Sequence, residues 1–441
     1  VTRSPTDAIE PSSVPCDIAS KVSFEAILTG TAPMASARRP KVAVLTRRRW
    51  PAMSSIEDRG SFEISTYTSD EPLPRKMPPK DFISSWQGAQ LTMYSVTAAA
   101  IALAFAGTPE VGARELGAQE VGAQAGPAAS LGANLERFEY PWEVRQFPVT
   151  IGMQQAQMSY MDVQPEQPSG RTALLLHGKN FCGATWEDTA KALLGAGYRV
   201  LIPDQIGFCK SSKPREAQYS FAMMAHFTHA LMAERGIEEA VVIGHSTGGM
   251  LAMHFALMFP DAANRLVLIN PLGLTDRMAE GVPYVPLDAL FEQERQKDFA
   301  AIRQYQLNTY YHGEWQPRYD RWVAMLAGQY ASEDSDEVAL AQAKTSEMIL
   351  TQPVSQHLDR LELPVTLMIG MLDTTTFGKG QAPPDVAASL RPIPELAPEA
   401  AALMPQGTLV TFPDLGHSPQ VEAPARFEAE LLALLDEGDG E

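Results

Sequence analysis

The sequence predicts an α/β fold: a mostly parallel eight-stranded sheet with helices on both faces and a helical lid inserted between strands 6 and 7. Three observations carry this. Six short apolar runs, at 173–176, 200–202, 240–243, 266–269, 365–369 and 408–412, are continuous rather than alternating, as strands buried on both faces of a parallel sheet are. Helix-like stretches such as "TWEDTAKALLGAGY" and "SFAMMAHFTHALMAERG" separate the early runs, giving right-handed crossovers and a doubly wound sheet. The rhythm then breaks between 273 and 352, where mostly helical, Tyr- and Trp-rich sequence parts two successive runs.

Taken in order, residues 1–92 mix Pro, Ser and charge without a sustained period of 2 or 3.6. They read as a disordered extension or as upstream sequence outside the mature chain. Residues 93–106 contain an apolar stretch ending in Ala104-Phe105-Ala106, the length and ending of a secretory signal and too short to span a bilayer. Used as such, it makes the protein exported, periplasmic or secreted; otherwise the chain is cytoplasmic, with an alanine-rich helix here. Residues 107–136 are rich in Ala, Gly and Glu and read as a flexible linker. "FEYPWEVRQFPVTIGMQQAQMSYMDVQ" follows as an antiparallel meander, two strands that complete the eight. The core is expected at 137–272 and 353–436, with the lid at 273–352.

Charge narrows the partners. The net charge is −18, and residues 1–106 hold 12 Lys+Arg against 10 Asp+Glu, so the acidity belongs to residues 107–441. Nucleic acid is disfavoured, a polyanionic substrate is disfavoured by the same repulsion, and a small-molecule partner remains. Cys16, Cys182 and Cys209 are too few for a disulfide scaffold and have no metal-ligand spacing. His226 and His229, three apart on a helix-like stretch without carboxylates at ligand spacing, read as packing residues, and no metal is expected. His245 and His254 read as structural, His357 as the lid's end, and Asp204 as a brace of its own loop.

In an open α/β sheet, ligands bind at the carboxyl ends of the strands. The reactive residues just beyond apolar runs are His177-Gly178 after "TALLL", Ser246 after "AVVIGH", Asp373 after "VTLMIGML" and His417 after "TLVTFPDLG". By itself G-x-S-x-G around Ser246 is weak, arising by chance in roughly one such chain in seven. The order Ser, Asp, His with each member at a strand end is far more specific. The other acid position, after "RLVLI", holds Asn270, which leaves Asp373.

These pieces, with "HGKNFCG" (177–183), "PDQIGFCKSS" (203–212), "GHSTGG" (244–249), "IGMLD" (369–373) and "DLGHSPQVEAP" (414–424), resemble the α/β-hydrolase superfamily over about residues 138–436. The likeness is to lid-bearing serine esterases and lactonases. The layout is also similar to epoxide hydrolases and haloalkane dehalogenases, whose elbow carries an aspartate where this chain has Ser246. The resemblance implies Ser246 as nucleophile in a strained elbow, His417 as base and then acid, and Asp373 as its orienting partner. It implies oxyanion donors from the backbone of Thr247 and Lys179, with the Asn180 side chain as a helper, and no cofactor. The expected reaction is cleavage of an ester, lactone or similar acyl bond in a medium-sized apolar molecule. C–C bond hydrolysis, cofactor-free perhydrolase or lyase chemistry, and a non-catalytic receptor are the alternatives. Phe181 and the lid aromatics Tyr311 and Trp315 are expected substrate contacts, with lid packing as the other reading of the lid pair. Cys182 and Cys209 lie in loops at the same sheet edge and form either a disulfide or two partly buried thiols.

Overall fold

The computed structural model describes residues 128–437. The expectations for 1–92, 93–106 and the first part of the linker, 107–127, lie outside them. The eight strands are β1 (Arg145–Ile151), β2 (Gln154–Val163), β3 (Thr172–Leu176), β4 (Arg199–Pro203), β5 (Ala240–His245), β6 (Ala263–Ile269), β7 (Val365–Gly370) and β8 (Gly407–Phe412). They form one sheet in the order β1-β2-β4-β3-β5-β6-β7-β8. β1 and β2 run antiparallel to each other, and β2 antiparallel to β4. All remaining pairs are parallel.

The continuous apolar runs divide between two faces, because successive side chains of a strand point opposite ways. Leu174 and Leu176 of β3 join one buried cluster, whereas Ala173 and Leu175 join the other. The helices α1 (Glu187–Gly195), α2 (Phe221–Glu234) and α3 (Thr247–Met258) cross between β3 and β6. α2 starts where Ser220 Oγ accepts a hydrogen bond from Met223 N at 3.0 Å, a side-chain cap on an otherwise unpaired donor. Phe221, Met224 and Met232 of α2 and Met250 and Phe255 of α3 cover one face. Ala190 and Leu193 of α1 cover the other, with Phe427 and Leu431 from the last described helix, Pro424–Glu437.

Four further helices lie between β6 and β7: α4 (Leu287–Arg295), α5 (Phe299–Thr309), α6 (Asp320–Tyr330) and α7 (Ser335–Thr351). This is the segment expected to form the lid. α5 and α6 pack through Ile302, Val323, Leu326 and Ala327.

The linker reading fails for residues 128–136. Leu131 N donates to Gly328 O of α6 at 2.9 Å, and Leu135 is fully buried in the main cluster. Lys210 Nζ donates to Leu135 O, and Lys213 Nζ to Asn134 Oδ1 at 2.9 Å. A stretch with few apolar residues still docks when those few, here Leu131, Ala133 and Leu135, each find a prepared slot. No helix among the described residues is long and apolar enough to cross a membrane.

Leu135→Ala is accordingly expected to cost about 2–5 kcal/mol, the usual range for a buried leucine. Chemical denaturation reads this as a lowered midpoint at unchanged slope. A change within about 0.5 kcal/mol, typical of exposed positions, would return the segment to the linker reading.

Candidate active site

Ser246 sits where β5 hands over to α3, at φ 55° and ψ −116°. A non-glycine residue there is strained, and backbone hydrogen bonds hold it. Ser246 N donates to Ile269 O of β6 at 2.9 Å, while Ser246 O accepts from Gly249 N and Leu272 N at 3.0 Å each. The flanking glycines make room for the turn: a Cβ on Gly248 would strike the Leu176 carbonyl of β3, and one on Gly244 the Gly248 carbonyl. The serine is only 4 % exposed. Thr247 opens the first turn of α3, where backbone N–H groups have no helical partner and carry the positive end of the helix dipole.

His417 follows β8 and is fully buried. Its Nδ1 lies 2.7 Å from Asp373 Oδ2, and an Nδ1–H donated there leaves Nε2 as the basic nitrogen. Nε2 is buried and has no hydrogen-bond partner among the described residues. The Asp373 carboxylate is fully engaged: Oδ1 accepts from Thr375 N at 2.7 Å, and Oδ2 also accepts from Asn270 Nδ2 at 2.8 Å. Asn270, excluded as the triad acid because it is an amide, braces the acid that is present. Its own Oδ1 accepts from Gly370 N at 2.9 Å.

Three more residues, none of them assigned a functional role by the sequence, fix the His417 loop. His245 Nε2 lies 2.9 Å from His417 O, and burial holds His245 well below the ordinary imidazole range, so a neutral ring donates. His417 N donates to Tyr310 O at 2.8 Å, and the Tyr310 ring stacks on the imidazole at 4.4 Å. Glu422 accepts from Gly416 N and Ser418 N at 3.0 and 3.2 Å, one residue on each side of His417. The only sequence signal for Glu422 is its place inside "DLGHSPQVEAP".

The loop after β3 has braces of its own and one shared with the His417 loop. His177 Nε2 accepts from Gln205 N at 3.1 Å, and its Nδ1 lies 3.0 Å from Gly178 O. Asn180 Nδ2 donates to Tyr310 Oη at 2.7 Å. The amide expected to help an oxyanion therefore holds the lid, with one of its two hydrogens committed there. Lys179 Nζ forms an ion pair with Glu294 of α4 at 2.8 Å, and burial, the largest influence, lowers its ammonium to about 8 despite that partner. Cys182 and Cys209 are joined in a disulfide with Cα atoms 5.8 Å apart. Asp204 lies beside them, and its carboxylate accepts from Tyr140 Oη, Gly183 N and Lys210 N.

A cavity of about 560 Å³ opens beside this loop, lined by Lys179 and Asn180, by lid residues including Glu294 and Tyr305, and by 374–381. Thr375 belongs both to its wall and to the surroundings of His417, with Oγ1 3.1 Å from Nδ1. Three expected substrate contacts are not on this wall. Tyr311 is fully buried and stacks on Tyr319 at 3.9 Å, with Trp315 edge-on to both. Phe181 packs between His245 and Tyr310. The aromatic that the lid presents to His417 is Tyr310, adjacent to the one expected from sequence.

The model of the alpha/beta hydrolase fold family matches residues 174–424. The chain belongs to this family. It is 50% identical to a probable hydrolytic enzyme from Pseudomonas aeruginosa whose structure is solved, covering 69% of this chain and 98% of that one with a TM-score of 0.68. Over 107 residues it is 39% identical to an uncharacterised protein of Mycobacterium tuberculosis, 24% of this chain and 31% of that one. Over 138 residues it is 28% identical to the 2-hydroxy-6-oxo-6-phenylhexa-2,4-dienoate hydrolase of Burkholderia cepacia, 31% of this chain and 48% of the relative. The match thus spans a third to a half of these curated relatives' length. Its fold is the α/β-hydrolase fold, which it shares with a solved esterase from Exiguobacterium antarcticum at 18% identity and a TM-score of 0.52.

Glu422 makes the site's pH response testable. Burial, the largest cause, raises its carboxyl from 4.5 to about 7, against the Gly416 and Ser418 N–H donors and Arg318 and with Asp373 adding to the rise. A carboxyl raised on folding binds more protons folded than unfolded, so its contribution to stability is full below pH 4.5 and is lost as pH rises through 7. Glu422→Gln is expected to flatten the stability–pH curve between about 4.5 and 7, measured by denaturant unfolding at several pH values. An unchanged slope would show that Glu422 does not titrate there.

Proposed function

We propose that the protein is a serine hydrolase that cleaves a carboxylic ester, lactone or similar acyl bond through an acyl-enzyme. The observation that carries the reading is the His417–Asp373 hydrogen bond of 2.7 Å with His417 Nε2 buried and unpartnered among the described residues, in the same site as the strained Ser246 turn. In this scheme Nε2 takes the Ser246 proton as Oγ attacks the carbonyl carbon. The developing oxyanion is met by the N–H groups of Thr247 and Lys179, each worth roughly 3–4 kcal/mol of barrier. His417 returns the proton to the leaving alcohol oxygen, and a water activated by the same nitrogen then releases the acid and frees Ser246. Asp373 holds the imidazole in the required tautomer throughout, and Asn270 and Thr375 keep both its oxygens occupied.

A second reading, hydrolysis of a C–C bond next to a carbonyl, is favoured by the likeness to the Burkholderia dienoate hydrolase. The same serine, histidine and aspartate would serve it.

Ser246→Ala is expected to lower kcat by roughly a thousandfold or more, as removal of such a nucleophile does, while unfolding stays unchanged. A fluorophosphonate should label the wild type at Ser246 and leave the variant unlabelled. Turnover of 4-nitrophenyl esters against vinylogous diketones separates the two readings. Full activity or labelling in Ser246→Ala preparations would remove Ser246 from the mechanism.

A further inference from the structure

The cavity beside the β3 loop is electrostatically unlike the acidic stretch 107–441 that contains it. Four charged residues line it, Lys179, Glu294, Lys297 and Lys379, a balance of +2 in a protein whose net charge is −18. Glu294 is already oversubscribed. It pairs with Lys179 Nζ at 2.8 Å and Lys297 Nζ at 2.7 Å, and accepts from Tyr330 Oη at 2.7 Å. One carboxylate shared by two ammonium groups leaves one positive charge uncompensated in a wall where Lys179 is 11 % and Glu294 7 % exposed by side chain. Buried charge is costly unless paired. Lys379, on the opposite loop, makes no ion pair among the described residues.

From this we propose that the substrate carries a carboxylate, which the ammonium groups of Lys179, Lys297 and Lys379 receive, while the scissile carbonyl lies at Ser246. The inference rests on the serine-hydrolase reading and adds the substrate class. Lys179 belongs to both ends of such a substrate: its backbone N–H is the proposed oxyanion donor and its ammonium reaches Glu294. A short spacer between carbonyl and carboxylate follows from that. Leu290, Ile302 and Leu326 line the same cavity and supply an apolar wall for the spacer's methylenes. Among the described residues, the cavity wall contains no arginine, so the forked geometry that favours phosphate is missing. Point-charge ammonium groups suit a carboxylate.

The test compares 4-nitrophenyl monoesters of succinic, glutaric and adipic acid with neutral alkanoate esters of matched length, after subtraction of spontaneous hydrolysis. In the wild type at least one monoester is expected to exceed its neutral match in kcat/KM by about tenfold, an advantage that declines with added salt. Lys297→Gln, at a partly exposed position, and Lys379→Gln, at an exposed one, should each cut that ratio by about fivefold, chiefly through a raised KM. Free glutarate should slow fluorophosphonate labelling of Ser246 in the wild type more than pentanoate does, and lose that advantage in both variants. This second measurement reports on the site even if none of these esters is turned over. Labelling without selective glutarate protection, together with no preference for the monoesters, overturns this inference and leaves the hydrolase reading standing. Absence of both ester turnover and Ser246 labelling overturns the hydrolase reading and this inference with it.

Discussion

The left-handed turn at Ser246 is the constraint on which the site depends. Holding a non-glycine residue there costs about 1–3 kcal/mol, and the surroundings must over-determine it. β6 receives its N–H, the loop after β6 and the first turn of α3 supply donors to its carbonyl, and Gly248 lets the helix close on the β3 carbonyls. The turn is thus a product of three parallel strands in register, and a local change in any of them reaches the serine. It is also tied to the proposed base: His245, the last residue of β5, bonds the carbonyl of His417. The residue before the proposed nucleophile positions the residue that would activate it.

The segment inserted between β6 and β7, expected to form the lid, is part of the same machinery. Tyr310, at the end of α5, receives the His417 N–H on its carbonyl, lays its ring against the imidazole and accepts from Asn180 on its hydroxyl. One residue of the inserted segment therefore joins the base loop to the loop after β3. The Lys179–Glu294 pair makes a second tie from that loop to α4. Both ties are well shielded from water, where electrostatic contacts are strongest. Placement of His417 and of Lys179 cannot be separated from placement of the lid.

How much of the molecule is legible in the sequence depends on how far each signal travels along the chain. The β3–β7 runs are legible because burial on both faces leaves a continuous apolar stretch, and the strand-end positions of Ser246, Asp373 and His417 are legible because each follows closely on such a run or on that of the edge strand β8. Contacts between distant segments are not. Nothing local distinguishes Leu131 and Leu135 from linker residues, since their slots lie on α6 and under Lys210. Tyr310 and Tyr311 are neighbours in an aromatic-rich stretch, and composition cannot tell which faces the imidazole and which faces Tyr319. Asn270 stands at a strand end suited to the triad acid, yet its chemistry hides its role: an amide cannot replace the acid, but it can hold it.

Net charge misleads in a comparable way about the cavity. An excess of 18 negative charges argues against anionic ligands only at long range, and salt screens that repulsion within about 8 Å at physiological ionic strength. Inside the cavity the field is set by the nearest groups. Although burial alone would raise its carboxyl, Glu294 is held at about 2 by the ammonium groups of Lys179 and Lys297, so it stays charged and its one negative charge is divided between two partners. A single anion entering there meets ammonium groups at short range, that of Lys179 only 11 % exposed, whereas the acidic surface acts on it only through screened solvent. The same separation of ranges penalises a polyanion, whose outer charges would remain among the surface carboxylates while only one reached the lysines. A protein acidic outside and cationic in one pocket thus selects for one buried negative charge, not for negative charge in general.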